Sequence, residues 1–459
     1  MDLEKLPVYQ LISNNESHQE RFKHGSTPSE DPPARATSNE VGYQGPTEIG
    51  VEPFAAFNSP TPPDQQSYFP LVSPLQVSND VHLLHRHGAR YPTSSKEPAG
   101  FATRLQAAGN YKASGHLEFL NTWKYGLGKE VLTPFGRSQL FNLGVGFRQK
   151  YGHLLGEISD SKEKLVFRTT SQHRMLHSAL NFAAESIIIE GPGFNNTLAP
   201  YHTCKKGEHV SKTVVNEIIS NWTEIYLAEA LPRLQANLTG YQLTFDDVVS
   251  MQKVTSALVA SDPPELKFMF WYAYSFGSPS AAAIGKGWVE ELVSRLTQEP
   301  IQQYDSSTNS TLDSNPITFP LNQKIYVDAT HDTVISCIVV ALNLTSLASE
   351  GPLPTRSMPK KQSFVSAHIS PFAGNLQAQI VDCEGGKKMR FLLNDAPVPL
   401  SGLQGCPEDS QGFCPLSTAV AALEARIKEI DYQHDCNTDY SYTPPFGGGG
   451  IVDGRPPSH

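Results

Sequence analysis

The chain has 459 residues, enough for one large domain or two ordinary ones, and 39% of them are apolar, enough for a substantial core. Its 36 Lys and Arg against 46 Asp and Glu leave a formal charge of −10, which excludes the basic face of a general nucleic-acid binder. No stretch reaches the roughly 20 apolar residues of a membrane-spanning helix.

The first residues, MDLEKLPVYQLISNNESHQERFKHGS, lack the apolar run of a secretory signal peptide. Residues 1–65 are rich in Ser, Pro, Asn, Gln and charge, as in STPSEDPPARATSNE, and predict a disordered N-terminal segment. The tail over 446–459, with its GGGG run, predicts the same, and QYDSSTNSTLDSN (303–315) predicts a flexible, glycosylated loop.

Between these ends, DVHLL (80–84), EKLVF (163–167) and KIYVDA (324–329) read as short buried strands. A helical pattern follows the second, with Leu176, Ala179, Leu180, Ala183 and Ile187 on one face. Another follows the third, with Val334, Ile335, Ile338, Ala341 and Leu342. Repeated strand–loop–helix units predict an α/β fold with a mixed-sheet, Rossmann-like core. Residues 96–160 and 210–300 look mostly helical, and TPFGRSQLFNLGVGFRQKYG and GKGWVEELVSRLTQ look amphipathic. The expected division is a catalytic domain over 66–445. Its α/β core covers about 66–95, 160–195 and 316–440, and an inserted helical second domain covers about 96–159 and 205–300.

Chemistry collects where these strands end. The first runs into Arg86, His87, Gly88 and Arg90, the second into Arg168 and then TTSQHR, and the third into His331 and Asp332. In open α/β sheets ligands bind beyond the carboxyl ends of the strands. Helix N-termini there add partial positive charge. Three arginines, two histidines and helix ends around one place point to a phosphate group, and Gly88 would let backbone approach that anion closely. His87 is the nucleophile candidate, because cationic neighbours favour its neutral imidazole. Asp332 could protonate a leaving oxygen in an acidic medium. There is no HExxH, EF-hand or Walker A motif, so the reading requires no cofactor. Two histidine pairs allow a metal reading. His85 and His87 could share a strand face, but no third ligand is evident. His173 and His177 have the spacing zinc can use, and a solvent-facing helix explains them more cheaply.

RHGARYP (86–92) matches the RHGxRxP motif in full, and with it the chain resembles the histidine acid phosphatases, among them the fungal phytases. The resemblance runs from about residue 67 to 440 and includes FRTTSQHRMLHSALNFA, YVDATHDTVIS and LLNDAPVPLSGLQGCPEDSQGFC. It implies a phosphoglycerate-mutase-like architecture and a phosphohistidine on His87. It implies a cradle of Arg86, Arg90, Arg168 and His331, Asp332 as proton donor, no metal, and phytate as substrate.

Six cysteines allow 15 pairings, and no CxxC pair is present. The resemblance implies the bridges Cys204–Cys436 and Cys406–Cys414. Together with N-x-S/T sequons at Asn15, Asn195, Asn221, Asn237, Asn309 and Asn343, it implies a secreted or cell-surface glycoprotein. Three departures stand out. Gln76 occupies a position where the family usually has cysteine; the stretch 251–279 is short and lacks a cysteine pair; and no leader or anchor is visible.

The leading expectation is an acid phosphatase acting on a small phosphomonoester, with no nucleic-acid partner and an undetermined oligomeric state. The alternative is a catalytically impaired phosphate-binding or interaction protein derived from the same family. A third reading is a metal-binding protein using His85, His87, His173 and His177.

Overall fold

The apolar run at Val81 becomes the middle of a sheet. In this computed structural model, residues 78–92, 98–159, 165–182, 186–258, 264–354, 361–442 and 451–456 are described. The N-terminal segment over 1–65 and Gln76 lie outside them. In chain order the main elements are β1 (Ser78–Arg86), α1 (Pro98–Ala108), β2 (Lys112–Ala113), α2 (Pro134–Ser159), β3 (Phe167–Thr170), α3 (His173–Phe182) and β4 (Ser186–Ile188). There follow α4 (Val215–Tyr226), β5 (Leu238–Thr239), α5 (Phe245–Leu258), α6 (Pro264–Tyr274), α7 (Ala281–Thr297), β6 (Ile325–Thr330) and α8 (Asp332–Ala341). The chain continues through β7 (Asn375–Cys383), β8 (Gly386–Leu393), β9 (Ala396–Val398), β10 (Cys414–Pro415) and α9 (Leu416–Glu429).

The main sheet has eight strands in the order β10-β8-β7-β1-β6-β3-β4, with β9 beside β8. β1, β6, β3 and β4 are parallel, while β7 runs antiparallel to β1 and β8 antiparallel to β7. The fold is therefore α/β with a mixed sheet. Alternate residues of β1 serve opposite faces, as the two-residue period requires. Val81 and Leu83 pack with Ile325, Val327 and the α2 residues Phe147, Tyr151 and Leu154. Leu84 belongs to the larger core that holds Trp288 and Leu292 of α7 and Ile335 and Ile338 of α8. A separate core, with Phe101, Leu105, Leu117, Leu120, Leu238 and Leu243, surrounds the small β2–β5 ladder.

Several local expectations shift. The strand expected over 163–167 is β3, which starts at Phe167 and ends at Thr170. The helix expected to reach Ile187 stops at Phe182; Ile187 lies in β4, and Leu180 is 57% exposed rather than facing the core. The β-branched run SIII pairs better beside β3 than it would continue a helix. Helix α7 is not amphipathic in place: Lys286, Glu291, Ser294 and Arg295 are as buried as Trp288. The stretch 251–279 contributes Phe268, Trp271, Tyr272 and Phe276 to the main core.

The segment 303–315 is packed, not a free loop. Ser306, Ser307 and Thr308 are buried, and Ser306 Oγ donates to Glu290 at 2.6 Å. Asn309 accepts from the Thr311 N–H while Asp313 accepts from the Asn309 N–H, a reciprocal cap. The side-chain amides of the sequon residues Asn195 and Asn309 donate into this knot, to the Thr308 and Asn195 carbonyls. The described part of the tail, 451–456, is docked: Ala282 donates to the Gly454 carbonyl at the start of α7, and Gly454 donates to the Phe276 carbonyl.

Cys204–Cys436 and Cys406–Cys414 are disulfides, with Cα–Cα separations of 4.6 and 5.2 Å. Cys337, buried in α8, and Cys383, at the end of β7, are free thiols.

Candidate active site

Parallel pairing brings strand ends together. Arg86 is in register with Thr330, and Arg168 with Asp328, so β1, β6 and β3 deliver their following loops to one edge. The His87 N–H donates to the Thr330 carbonyl at 3.2 Å, and Ala373 donates to the His87 carbonyl at 3.0 Å. His87 is thus pinned by backbone on two sides. Its ring Nδ1 lies 2.8 Å from the Gly88 carbonyl oxygen. A carbonyl can only accept, so Nδ1 carries the hydrogen and Nε2 keeps its lone pair. Burial first, then the Arg86 and Arg90 charges, hold this imidazole well below its ordinary pKa. His87 is therefore a neutral, fixed tautomer.

Gly88 has a packing role that the sequence did not show. A Cβ there would lie 2.2 Å from the Gly136 carbonyl, and one on Gly136 would lie 2.0 Å from the Ala89 carbonyl. The two glycines let the 87–90 loop press against the first turn of α2. Ala89 N–H to Gln139, at 2.9 Å, and Thr133 N–H to the Ala89 carbonyl, also at 2.9 Å, complete that clamp.

Asp332 opens α8. Its Oδ2 pairs with Arg86 at 2.7 Å, and its Oδ1 accepts from the Thr333 N–H at 2.9 Å. Burial pushes its carboxyl up, but Arg86, Arg90 and His331 outweigh burial and hold it below the usual carboxylate range. Arg86 also donates to the Ser370 carbonyl and stacks 4.1 Å over Phe372, which fixes the guanidinium plane.

Arg168 is not at this edge. It lies inside β3, and its guanidinium is saturated by carboxylates: Asp328 at 2.7 and 2.9 Å, and Glu291 at 3.0 and 2.5 Å. Asp328 also receives Arg295 at 2.8 Å and Trp288 Nε1 at 3.0 Å, and Glu291 receives Thr197. Because β3 runs to Thr170, three residues past the expected end at 167, Arg168 lies within the strand and not first beyond it. The arginine beside His87 is Arg174, in the first turn of α3, whose charge lowers the His87 pKa along with Arg86 and Arg90. Glu130 lies 3.9 Å from it, with a side chain 41% exposed.

His331 closes the ring, its plane nearly perpendicular to His87 with centroids 5.8 Å apart. Its Nε2 lies 3.1 Å from Glu190, which also accepts from Tyr201 at 2.7 Å. Burial would raise Glu190, but the His331 contact, helped by the Tyr201 hydroxyl, brings it down to about 2. Glu190 follows β4, so a fourth strand end reaches the site. The signal was present in SIIIE, an apolar run ending in an acid, but it was absorbed into a helix.

The other histidines lie apart. His85 stacks on Phe182 at 5.2 Å and is pushed by burial down to about 4. The His173 and His177 rings lie tilted against each other with centroids 4.1 Å apart, and His177 meets Arg137. Among the described residues no three His, Cys, Asp or Glu side chains are grouped to hold a metal ion.

Sequence and fold comparisons agree with this geometry. The histidine phosphatase superfamily (branch 2) matches residues 79–184 and 255–394. The chain is 34% identical to Phytase A of Aspergillus fumigatus over 410 residues, covering 78% of this chain and 86% of that one. It is 32% identical to Phytase A of Aspergillus terreus over 397 residues, covering 76% and 84%. The crystal structure of the phytase from D. castellii superposes with a TM-score of 0.62 at 20% identity, covering 83% and 88% of the two chains. With a pinned, neutral histidine among arginines at the strand ends, and with matches over most of its length, the chain belongs to the histidine phosphatase superfamily (branch 2). It is a phosphoric monoester hydrolase of the histidine acid phosphatase family, similar to the fungal phytases.

Proposed function

We propose that the chain hydrolyses phosphomonoesters through a phosphohistidine on His87, and that its substrate is phytate, the class named by its relatives. The observation that carries the reading is the 2.8 Å contact between His87 Nδ1 and the Gly88 carbonyl, which leaves Nε2 as a nucleophile at acid pH. Nε2 attacks phosphorus and the P–O ester bond breaks. The leaving alkoxide takes its proton from Asp332. Water then attacks the phosphohistidine, gives its proton to the Asp332 carboxylate, and frees His87 and inorganic phosphate.

The cradle in this reading is Arg86, Arg90, Arg174 and His331, with Arg174 in the place expected for Arg168. Asp332 must be protonated for the first step. Its carboxyl is held down largely by Arg86 and Arg90. A phosphoryl group that engages those arginines weakens their hold, so substrate binding itself moves Asp332 towards its acid form. The catalytic unit is residues 66–445, with the helical region shaping specificity. Two disulfides favour an oxidising, extracellular setting.

The test is phosphate release near pH 5 from an aryl phosphate and from phytate, by the parent and by His87→Ala. Release by the parent alone, with trapped radiolabelled phosphate on its histidine, is expected. Equal release by the variant would overturn the assignment. A folded parent without release would instead support the impaired, phosphate-binding alternative.

A further inference from the structure

Glu190 is a buried acid beside a cluster of cations, and the reaction scheme above leaves it without a task. Its side chain is 4% exposed. A lone buried carboxylate is costly unless it is paired and hydrogen-bonded. Here the shortest contact to a cation-forming side chain is to His331. Oε2 sits 3.1 Å from His331 Nε2, and Tyr201 Oη donates to Oε1 at 2.7 Å. The Glu190 N–H donates to Ser171 Oγ at 2.9 Å, which ties it to the turn between β3 and α3. The Tyr201 ring meets His331 edge-on at 5.9 Å, and His202 Nε2 lies 3.8 Å from Oε1.

Among the other groups around His331, His87, Arg86, Arg90 and Arg174 are neutral or cationic, and Asp332, which also feels His331, makes its ion pair with Arg86 at 2.7 Å, so Glu190 is the carboxylate within hydrogen-bond distance of the ring. An ionised carboxylate only accepts, so His331 Nε2 carries a hydrogen towards Glu190, and Nδ1 is the ring nitrogen left to meet a ligand.

Resting on the phosphatase reading, we propose that Glu190 is a positioning residue: it orients His331 and balances its protonated ring, so that His331 can donate to a phosphoryl oxygen. The arrangement parallels carboxylate–histidine pairs that fix a ring's tautomer elsewhere. Glu190 touches neither the nucleophile nor the reacting phosphorus.

The experiment uses the full chain and inorganic phosphate as the probe. Affinity is measured by calorimetry from pH 4 to 8 for the parent, Glu190→Gln and Glu190→Asp. The Gln variant keeps shape and loses charge. Its affinity should match the parent within about threefold at pH 4 and fall about tenfold behind near pH 7. The Asp variant keeps the charge with a shorter reach; it should follow the parent's pH profile with a uniform, several-fold loss. A Gln variant with a uniform loss across pH, or with no loss, would overturn the proposal. If the Gln variant does not fold, the parent's histidine ¹⁵N spectrum decides. A protonated His331 ring hydrogen-bonded at Nε2 is expected at pH 5, and a neutral ring there would overturn it. Phosphate binding is read without turnover, so a parent that binds phosphate but hydrolyses no ester would remove the enzyme reading and leave this one standing on its own result.

Discussion

Two clusters of charge lie a few residues apart on the same strands, and they are built on opposite principles. Beneath the strand ends, Arg168 and Arg295 face Asp328 and Glu291, with Trp288 and Thr197 filling remaining acceptors. The charges balance and all four ionic side chains are buried. At the strand ends, Arg86, Arg90 and Arg174 lie near His87, where Arg86 pairs with Asp332, Arg174 faces Glu130 at 3.9 Å and His331 meets Glu190. The lower cluster is complete without a ligand. The upper one lies at the strand ends, where the proposed reading places an anionic substrate. An arginine's type therefore does not tell its task; the place that folding gives it does.

The sharpest way to break this comparison is to remove one arginine from each cluster. Arg168→Ala leaves Asp328 and Glu291 short of a cation in the interior. It should cost about 3–5 kcal/mol of stability, read by denaturant unfolding, because an uncompensated buried charge remains. Arg174→Ala should leave the unfolding midpoint nearly unchanged and lower kcat/KM by about 10²-fold or more, as loss of one preorganised charge partner does. The reverse pattern would mean the two arginines have been assigned the wrong way round.

A second comparison sits within the upper cluster. Asp332→Asn keeps the shape and removes the proton. It should slow alkyl phosphates by about 10²–10⁴-fold, while an aryl phosphate, with its better leaving group, loses far less. Equal losses on both would remove Asp332 as the acid.

A third, smaller effect concerns pH. Burial raises Glu290 to about 7, against the Ser306 hydroxyl and Lys286, and raises Asp313 to about 7 as well. Both folded values lie above the unfolded carboxylate range. Their contribution to stability is therefore fully present below about pH 4 and is lost as pH rises through about 7. The thermal midpoint should fall across that window, and Glu290→Gln should flatten part of the slope. A midpoint insensitive to pH from 4 to 7 would show that the packed 303–315 segment carries no such load.

The smallest effect is a control. Lys150 and Asp395 pair at 2.5 Å, but both side chains are about half exposed. Lys150→Ala should change stability by about 0–1 kcal/mol, within the range of surface pairs. A larger loss would mean that solvent screening does not separate surface pairs from buried ones in this molecule.

Much of the site was legible because it is written locally. RHGARYP places Arg86, His87 and Arg90 within five residues, and an apolar strand running into His331-Asp332 announces a strand end. Chain connectivity and a two-residue period settle such positions whatever the rest of the fold does. The disulfide pairs came from the family resemblance, since six cysteines alone leave the choice open.

What the tertiary structure alone decided are the matters of register and counter-ion. Whether Arg168 or Arg174 joins His87 depends on where β3 starts beside β6, a pairing between residues 160 apart in sequence. Whether Glu190 ends a helix or a strand depends on β4 finding β3. Whether the polar residues of α7 meet water or buried arginines depends on which layer that helix enters. A sequence determines its own periodicity and the chemistry of its side chains. The charge a side chain finally feels is set by neighbours that only folding brings within a few ångströms.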